Sequence, residues 1–186
     1  MLLNGVRAGA TPRRREAARE GMERAMDLSL RESVDVVSDP ANLDGAVDEV
    51  FRLMLGVHCE QEAGPAPRNT ESVTAVVGFG GMLSGACVCA MSAEDARKLA
   101  ARMTGMEFPE IDDTVKDAIG EICNMLAGAW KGKVPELAAH CGLSVPAVIT
   151  GRDYNLHVQA PEFQLNHHYR TEEFRFVVTI VCDGIQ

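Results

Sequence analysis

The sequence predicts an α+β domain in which helices pack on an antiparallel sheet. Residues 113–134 have the apolar spacing of one long amphipathic helix. Two β-rich runs, SVTAVVGF and LSGACVCAM, are separated only by GGM and predict a hairpin. Along the chain the patterns follow the order helix, two strands, two helices and about three strands. That order is typical of an α+β fold rather than of alternating βαβ units.

The chain divides into an N-terminal extension and one domain. Residues 1–38 are predicted to be flexible or partly helical, because RRREAAREGMERAM permits a helix but offers little apolar surface to bury. We expect this extension to be dispensable for folding. Asp39-Pro40 marks the boundary, and the domain is predicted to span residues 39–186. The next segment predicts a core helix with one buried stripe: Val47, Val50, Phe51, Met54 and Val57.

The middle and the end of the chain supply the other elements. Ser92 is predicted to open a helix, AEDARKLAARMTG, that Gly105 closes. The glycines of the hairpin match neither a P-loop nor a dinucleotide-binding fingerprint, so we interpret them as turn and close-packing residues. Three more strands are expected in CGLSVPAVITG, FQLNHHYR and FRFVVTIVC, with Pro146 at an edge or at a strand start.

The central helix has one clearly apolar face. Asp113 or Thr114 can cap its start. Apolar residues recur at helical spacing and should be buried: Val115, Ile119, Ile122, Leu126 and Trp130.

The opposite face of this helix is the candidate functional surface. At about 100° per residue it carries Asp117, Glu121, Asn124, Gly128 and Lys131. Asparagine is a weak helix former, and each of the two interior glycines, Gly120 and Gly128, costs about 1 kcal/mol relative to alanine. Two explanations stay open at this point: a face cleared to receive another protein, or an ordinary solvated face with two tolerated glycines.

Composition narrows the class of protein. The net charge is −9, and because residues 1–24 carry +3, the remainder is strongly acidic. This balance argues against a nucleic-acid-binding surface and fits partners that are proteins or cations. No apolar run reaches the ~20 residues of a membrane span, so we expect a cytoplasmic protein that does not bind membranes. The six cysteines have no CxxC spacing and should be free thiols, mostly buried, rather than a zinc site.

A short motif resembles a known family. Asp117-x3-Glu121-x2-Asn124, followed by Pro146 after 21 intervening residues, resembles the signature of the CheC/CheX/FliY phosphatases of bacterial chemotaxis. The glycine-rich hairpin, AIGEICNMLAG and LSVPAVITG are similar to that family's flanking segments. Only one Glu-x2-Asn pair is present, so the sequence resembles the CheX type, from about residue 40 to the C-terminus.

The resemblance implies a phosphatase that hydrolyses the aspartyl phosphate of a CheY-like response regulator. It implies that Asn124 orients the attacking water and that Glu121 pairs with a lysine of the regulator. Asp117, Gly128 and Pro146 would border the contact. No cofactor is expected on this chain, because the Mg²⁺ would belong to the regulator, and CheX relatives suggest a homodimer.

Two alternatives belong to other classes. One is a non-catalytic binding domain or flagellar-switch scaffold that docks on a response regulator. The other is an independent hydrolase or metal enzyme. The latter needs a nucleophile–base pair or a ligand cluster, and the sequence shows neither at convincing spacing.

Overall fold

The structure of the chain, a computed structural model, describes residues 35–64, 71–152 and 161–185. The extension expected at residues 1–38, flexible or partly helical, lies outside the described residues up to position 34. The described elements, in chain order, are α1 Pro40–Leu55, β1 Glu60–Glu62, β2 Ser72–Gly81, β3 Leu83–Ser92, α2 Ala93–Thr104, α3 Asp113–Gly132, α4 Pro135–His140, β4 Cys141–Leu143, β5 Ala147–Gly151, β6 Phe163–Arg170 and β7 Arg175–Ile185.

The strands form one antiparallel sheet. Its order in the described part is β1-β6-β7-β3-β2-β4, and β5 also pairs with β2 beyond β4 along the same edge. The hairpin predicted from the two β-rich runs is confirmed, with Val77 opposite Cys87 and only Met82 between the strands. The predicted fold class, helices packed on an antiparallel sheet, is therefore confirmed.

The helices cover one face of this sheet. Helix α1 lies over β6 and β7, where the Phe51 ring stacks on Phe176 with centroids 4.4 Å apart. Helix α3 lies over β2 and β3, where the Cys123 thiol is 3.5 Å from the Ala75 and Cys87 carbonyls. Alternate residues of the strands face the helices and are buried, as the two-residue period of a strand requires.

The ends of α1 follow from its sequence. The Asp39 carboxylate accepts a hydrogen bond from the Ala41 N–H at 2.9 Å, and Pro40 occupies the first turn, where its missing N–H is no loss. Gly56 ends the helix with a φ of 66°, a left-handed conformation that glycine adopts without a steric penalty. Helix α1 thus starts at the Asp39-Pro40 pair, and the domain boundary expected there stays a prediction.

Helix α3 buries the predicted stripe. Val115, Ile119 and Ile122 are fully buried, as are Leu126 and Trp130 one and two turns later. Its start is corrected: Asp112, rather than Asp113 or Thr114, is the N-cap, and its carboxylate accepts from the Val115 N–H at 2.9 Å. The helix ends at Gly132, because Val134 and Pro135 already begin the short helix α4.

Other details of the fold differ from the sequence prediction. Met54 is 48% exposed, so its place in the buried stripe of α1 is wrong, and Leu55 is buried instead. At the end of α1, the Leu55 carbonyl accepts a hydrogen bond from Arg102 of α2 at 3.2 Å. Three short elements, β1, α4 and β4, were not predicted, because six residues or fewer hold too little periodicity to be recognised.

Candidate functional site

The outer face of α3 presents the polar residues that the sequence singles out. Asp117 and Glu121 are exposed, and Asn124 and Gly128, further along the same face, are half-buried. The buried stripe on the opposite side fixes this orientation, because rotating the helix would expose Ile122 and Leu126. The structure therefore brings Glu121 and Asn124 together on one accessible turn.

The functional groups of these two side chains are unengaged within the described part of the chain. Neither the Glu121 carboxylate nor the Asn124 carboxamide forms a hydrogen bond or ion pair with another described residue. Both groups can therefore be offered to a partner without first breaking an intramolecular bond.

The N-terminal half of this face is acidic. Asp112 and Asp113 lie at its start, where carboxylates are favoured by the helix dipole, and Asp117 and Glu121 follow in the next turns. Lys116 donates to Asp113 at 2.9 Å, which lowers the pKa of Asp113 and raises the pKa of Lys116. The Glu121 carboxylate, three residues before Asn124, forms no ion pair with another described residue.

The two interior glycines of α3 differ in the space around them. A Cβ at Gly120 would lie 3.3 Å from the Pro146 Cβ and 3.4 Å from Val148 Cγ2, so this glycine allows the helix to approach β5 closely. A Cβ at Gly128 would meet no atom within 4 Å. Gly128 therefore has no packing role visible in the described residues, and it leaves open surface one turn beyond Asn124.

Pro146 borders the site through this contact. It is half-buried, directly precedes β5, and packs on α3 at Gly120, the residue before Glu121. The preceding loop is fixed to β2: the Ser144 N–H donates to the Gly78 carbonyl, and the Gly78 N–H donates to Ser144 Oγ, both at 2.9 Å. The expected position of Pro146 at a strand start is confirmed, whereas its part in partner binding stays a prediction.

Two features of this region were not predicted from the sequence: the hydrogen bonds of Lys131 and the exposure of Val145. Lys131, counted on the outer face, donates to the Cys141 carbonyl at 2.6 Å and to the Ala138 carbonyl at 3.3 Å, so it holds α4 and β4 against the helix. The loop residue Val145, just before Pro146, is 86% exposed. The dipeptide Val-Pro signals an extended turn in the sequence, but exposure of the valine depends on the tertiary fold.

A second polar cluster lies elsewhere and ties α1 to β6. Tyr169 donates to Asp44 at 2.6 Å, and His167 Nδ1 is 2.8 Å from the same carboxylate oxygen. Burial, followed by the hydrogen bond to Asp44, raises the pKa of Tyr169 well above its usual range. His167 is engaged by Asp44 on the helix side of the sheet, so this cluster holds two elements together.

The cysteines are free thiols, and most of them are buried. All six are free, and all except Cys59 are buried. A hydrogen bond with Cys123 and burial raise the pKa of Cys87, and burial raises the pKa of Cys89. Cys87 and Cys89 therefore stay protonated at neutral pH.

Neither a group of metal-ligating side chains nor a membrane-spanning helix occurs among the described residues. Across residues 35–64, 71–152 and 161–185, no three His, Cys, Asp or Glu side chains lie close enough to hold a metal ion. None of the helices within these ranges has the length and apolarity needed to cross a bilayer.

Comparison with known proteins identifies the family. The model of the chemotaxis phosphatase CheX family matches residues 73–167. The CheY-P phosphatase CheX of Thermotoga maritima is 33% identical over 118 residues, which cover 61% of this chain and 76% of that relative.

Solved structures share the fold. The chemotaxis protein CheX from Vibrio vulnificus superposes with a TM-score of 0.66 at 17% identity, covering 78% of this chain and 97% of that one. The CheX of the CheX-CheY-BeF3-Mg²⁺ complex from Borrelia burgdorferi has a TM-score of 0.62 at 19% identity, covering 77% and 97%. By its matched sequence segment, its identity to the Thermotoga relative and its fold, this chain belongs to the chemotaxis phosphatase CheX family.

Proposed function

We propose that this chain hydrolyses the aspartyl phosphate of a CheY-like response regulator. The relative from Thermotoga maritima is named a CheY-P phosphatase, and the Borrelia burgdorferi structure is a complex of CheX with CheY. The observation that carries the proposal is the pairing of Glu121 and Asn124 on one accessible turn of α3, without partners among the described residues.

Asn124 is the residue that orients water in this proposal. Hydrolysis of an acyl phosphate needs a water molecule in line with the breaking bond to phosphorus, and it needs little covalent help from the enzyme. The water oxygen bonds to phosphorus, the bond from phosphorus to the aspartyl oxygen breaks, and inorganic phosphate, a free carboxylate and a proton result. A carboxamide both donates and accepts hydrogen bonds, so Asn124 can hold this water without titrating.

Glu121 serves the contact with the regulator. Its exposed carboxylate, one turn before Asn124, is placed to pair with a lysine beside the phosphorylated aspartate. Asp117 adds negative charge at the edge of the contact, and Gly128 leaves space for the regulator beyond Asn124. Pro146 contributes by holding the helix against β5 rather than by touching phosphate.

The metal ion of the reaction is assigned to the regulator. The described residues of this chain hold no cluster of ligands, and Mg²⁺ prefers the carboxylate and phosphate oxygens that a phosphorylated receiver domain offers. Bound there, the ion would neutralise charge on the phosphoryl group, while this chain would supply the oriented water.

The test is turnover by a catalytic amount of the chain. CheY-type receiver domains from the source organism are phosphorylated with a small phosphodonor, and release of inorganic phosphate is followed with and without the chain. We expect at least one receiver domain to lose phosphate faster, over many turnovers per molecule of chain. Binding to phosphorylated receivers without faster release would instead support the scaffold function, and neither result on any receiver would reject the proposal.

A further inference from the structure

The sheet edge that borders α3 is interrupted at one point. Strands β4 and β5 both pair with β2 along this edge, with Leu143 opposite Phe79 and Ala147 opposite Val76. Between these two pairs β2 advances by three residues, whereas the edge advances by four. The segment from 144 to 146 therefore contains one extra residue. An extra residue of this kind is a β-bulge, which bends the strand and redirects its side chains.

Ser144 closes the bulge with its side chain. Its backbone N–H donates to the Gly78 carbonyl, and its hydroxyl accepts from the Gly78 N–H, both at 2.9 Å. The same hydroxyl donates to the Val145 carbonyl, also at 2.9 Å. In a regular antiparallel pair a backbone carbonyl accepts from such an N–H, so the Ser144 hydroxyl replaces a missing bond of the ladder. Alanine here could make neither side-chain bond, because a single hydroxyl both accepts and donates.

The last residue of the bulge, Pro146, contacts α3. A Cβ placed on Gly120 would lie 3.3 Å from the Pro146 Cβ, and Gly120 is buried by this approach. In an α-helix the N–H of each residue bonds to the carbonyl four residues earlier, so the backbone of Asn124 is bonded to Gly120. The turn that carries Asn124 is therefore joined, through Gly120 and Pro146, to the bulge that Ser144 closes.

We propose that Ser144 is a positioning residue for the hydrolysis, acting through Pro146 and Gly120 on the placement of Asn124. The inference rests on the proposed function and adds to it a residue that does not touch the phosphate. A water molecule must be held in line with the breaking bond, and a small misplacement of the group that holds it lowers the rate. Ser144 therefore affects kcat, whereas the exposed carboxylate of Glu121 affects affinity.

The test compares Ser144→Ala, Ser144→Thr and a matched control, Ser72→Ala. Ser144→Thr keeps the hydroxyl, and because Ser144 is exposed, its truncation leaves no buried gap. Ser72 donates to the Gly151 carbonyl at 3.5 Å, so it joins the same strands, β2 and β5, at the far end of their pairing. Urea unfolding curves give the folded fraction of each variant, and kcat is normalised to it. A loss of stability alone then leaves the normalised kcat unchanged.

We expect Ser144→Ala to lower kcat on phosphorylated receiver domains about tenfold, with KM and the Kd for beryllofluoride-loaded receivers unchanged. Ser144→Thr and Ser72→Ala should keep the wild-type kcat. In the Asn124→Ala background, Ser144→Ala should cause no further loss of rate, because two residues that act through one group are not additive.

Four outcomes would overturn this inference. They are a wild-type kcat in Ser144→Ala, an equal loss of kcat in Ser72→Ala, an equal loss in Ser144→Thr, and a full further loss in the Asn124→Ala background. A raised Kd with an unchanged kcat in Ser144→Ala would also overturn it, because the bulge would then be a contact surface. Wild-type turnover with an unaffected Ser144→Ala rejects this inference alone, whereas absence of wild-type turnover on every receiver rejects the proposed function.

Discussion

The two faces of helix α3 differ in burial and in the contacts that they make. The inner face buries Ile119, Ile122 and Leu126 completely against the sheet and the neighbouring helices. The outer face carries Glu121 and Asn124, which are accessible and make no polar contact with other described residues. The inner face follows from the need to bury apolar surface, and the outer face makes no comparable contribution to folding.

The difference between the two faces indicates which residues of the helix serve function rather than folding. A mid-helix asparagine, and a glycine with no packing contact to the described residues, are poor choices for stability. Selection for folding alone favours better helix formers there. The comparison therefore predicts that substitutions on the inner face change the free energy of unfolding, and that substitutions on the outer face change binding and hydrolysis.

Truncation of the inner face should have the largest effect on stability. Leu126→Ala removes a side chain that is 1% exposed, and it should lower the free energy of unfolding by about 2–5 kcal/mol. Urea unfolding curves measure this, with Leu53→Ala as an exposed control that should stay within about 0.5 kcal/mol. Equal losses in the two variants would mean that the α3 stripe is not the core contact described.

Neutralising Glu121 should weaken docking without changing stability. Glu121→Gln removes the charge but keeps the size, so affinity for a beryllofluoride-loaded receiver should fall about tenfold at low salt. The difference from wild type should shrink as salt rises, because an exposed ion pair is screened. Isothermal titration at two ionic strengths measures both effects. The control is Glu107→Gln, in the loop after α2, and salt-independent loss at position 121 would contradict an ion pair.

The two glycines should respond to alanine in opposite directions. Gly128→Ala adds a methyl group in open space and should stabilise the fold by about 0.5–1 kcal/mol, while obstructing the regulator. Gly120→Ala forces its methyl group against Pro146 and should offset or reverse this helix-propensity gain. Thermal unfolding separates the pair. A Gly128→Ala variant that is more stable and still binds the regulator normally would show that docking does not need open space at position 128.

Much of the fold and of the candidate site could be predicted from the sequence, because these parts depend on the regular spacing of residues in helices and strands. The buried stripe of α3, the β2–β3 hairpin and the common face of Glu121 and Asn124 are repeats of 3.6 or two residues. The N-cap was misplaced by one residue, because Asp112 and Asp113 are both suitable caps and only the geometry distinguishes them.

Features that depend on contacts between distant segments were not predicted. Met54 fits the helical stripe of α1, yet it is exposed and Leu55 is buried, because the buried face of the last turn is set by tertiary packing. The packing of Pro146 on Gly120 and the bonds between Ser144 and Gly78 join segments that lie 26 and 66 residues apart. Such pairings leave no local period in the sequence, so these contacts became visible only in the fold.

The most direct test of the account is the rate of phosphate release by Asn124→Ala. At saturating phosphorylated receiver domain, the rate should fall about a hundredfold or more, the scale expected when one positioned polar group is lost. Affinity for the beryllofluoride-loaded receiver should persist, because the water-orienting contact acts mainly in the transition state. Stability should change by no more than about 0.5 kcal/mol, since the site is partly exposed and alanine is the better helix former.

The control variant is Gln164→Ala, which removes an exposed carboxamide on β6 and should release phosphate at the wild-type rate. A wild-type rate of release from Asn124→Ala would contradict the account and leave docking without catalysis as the function of this face.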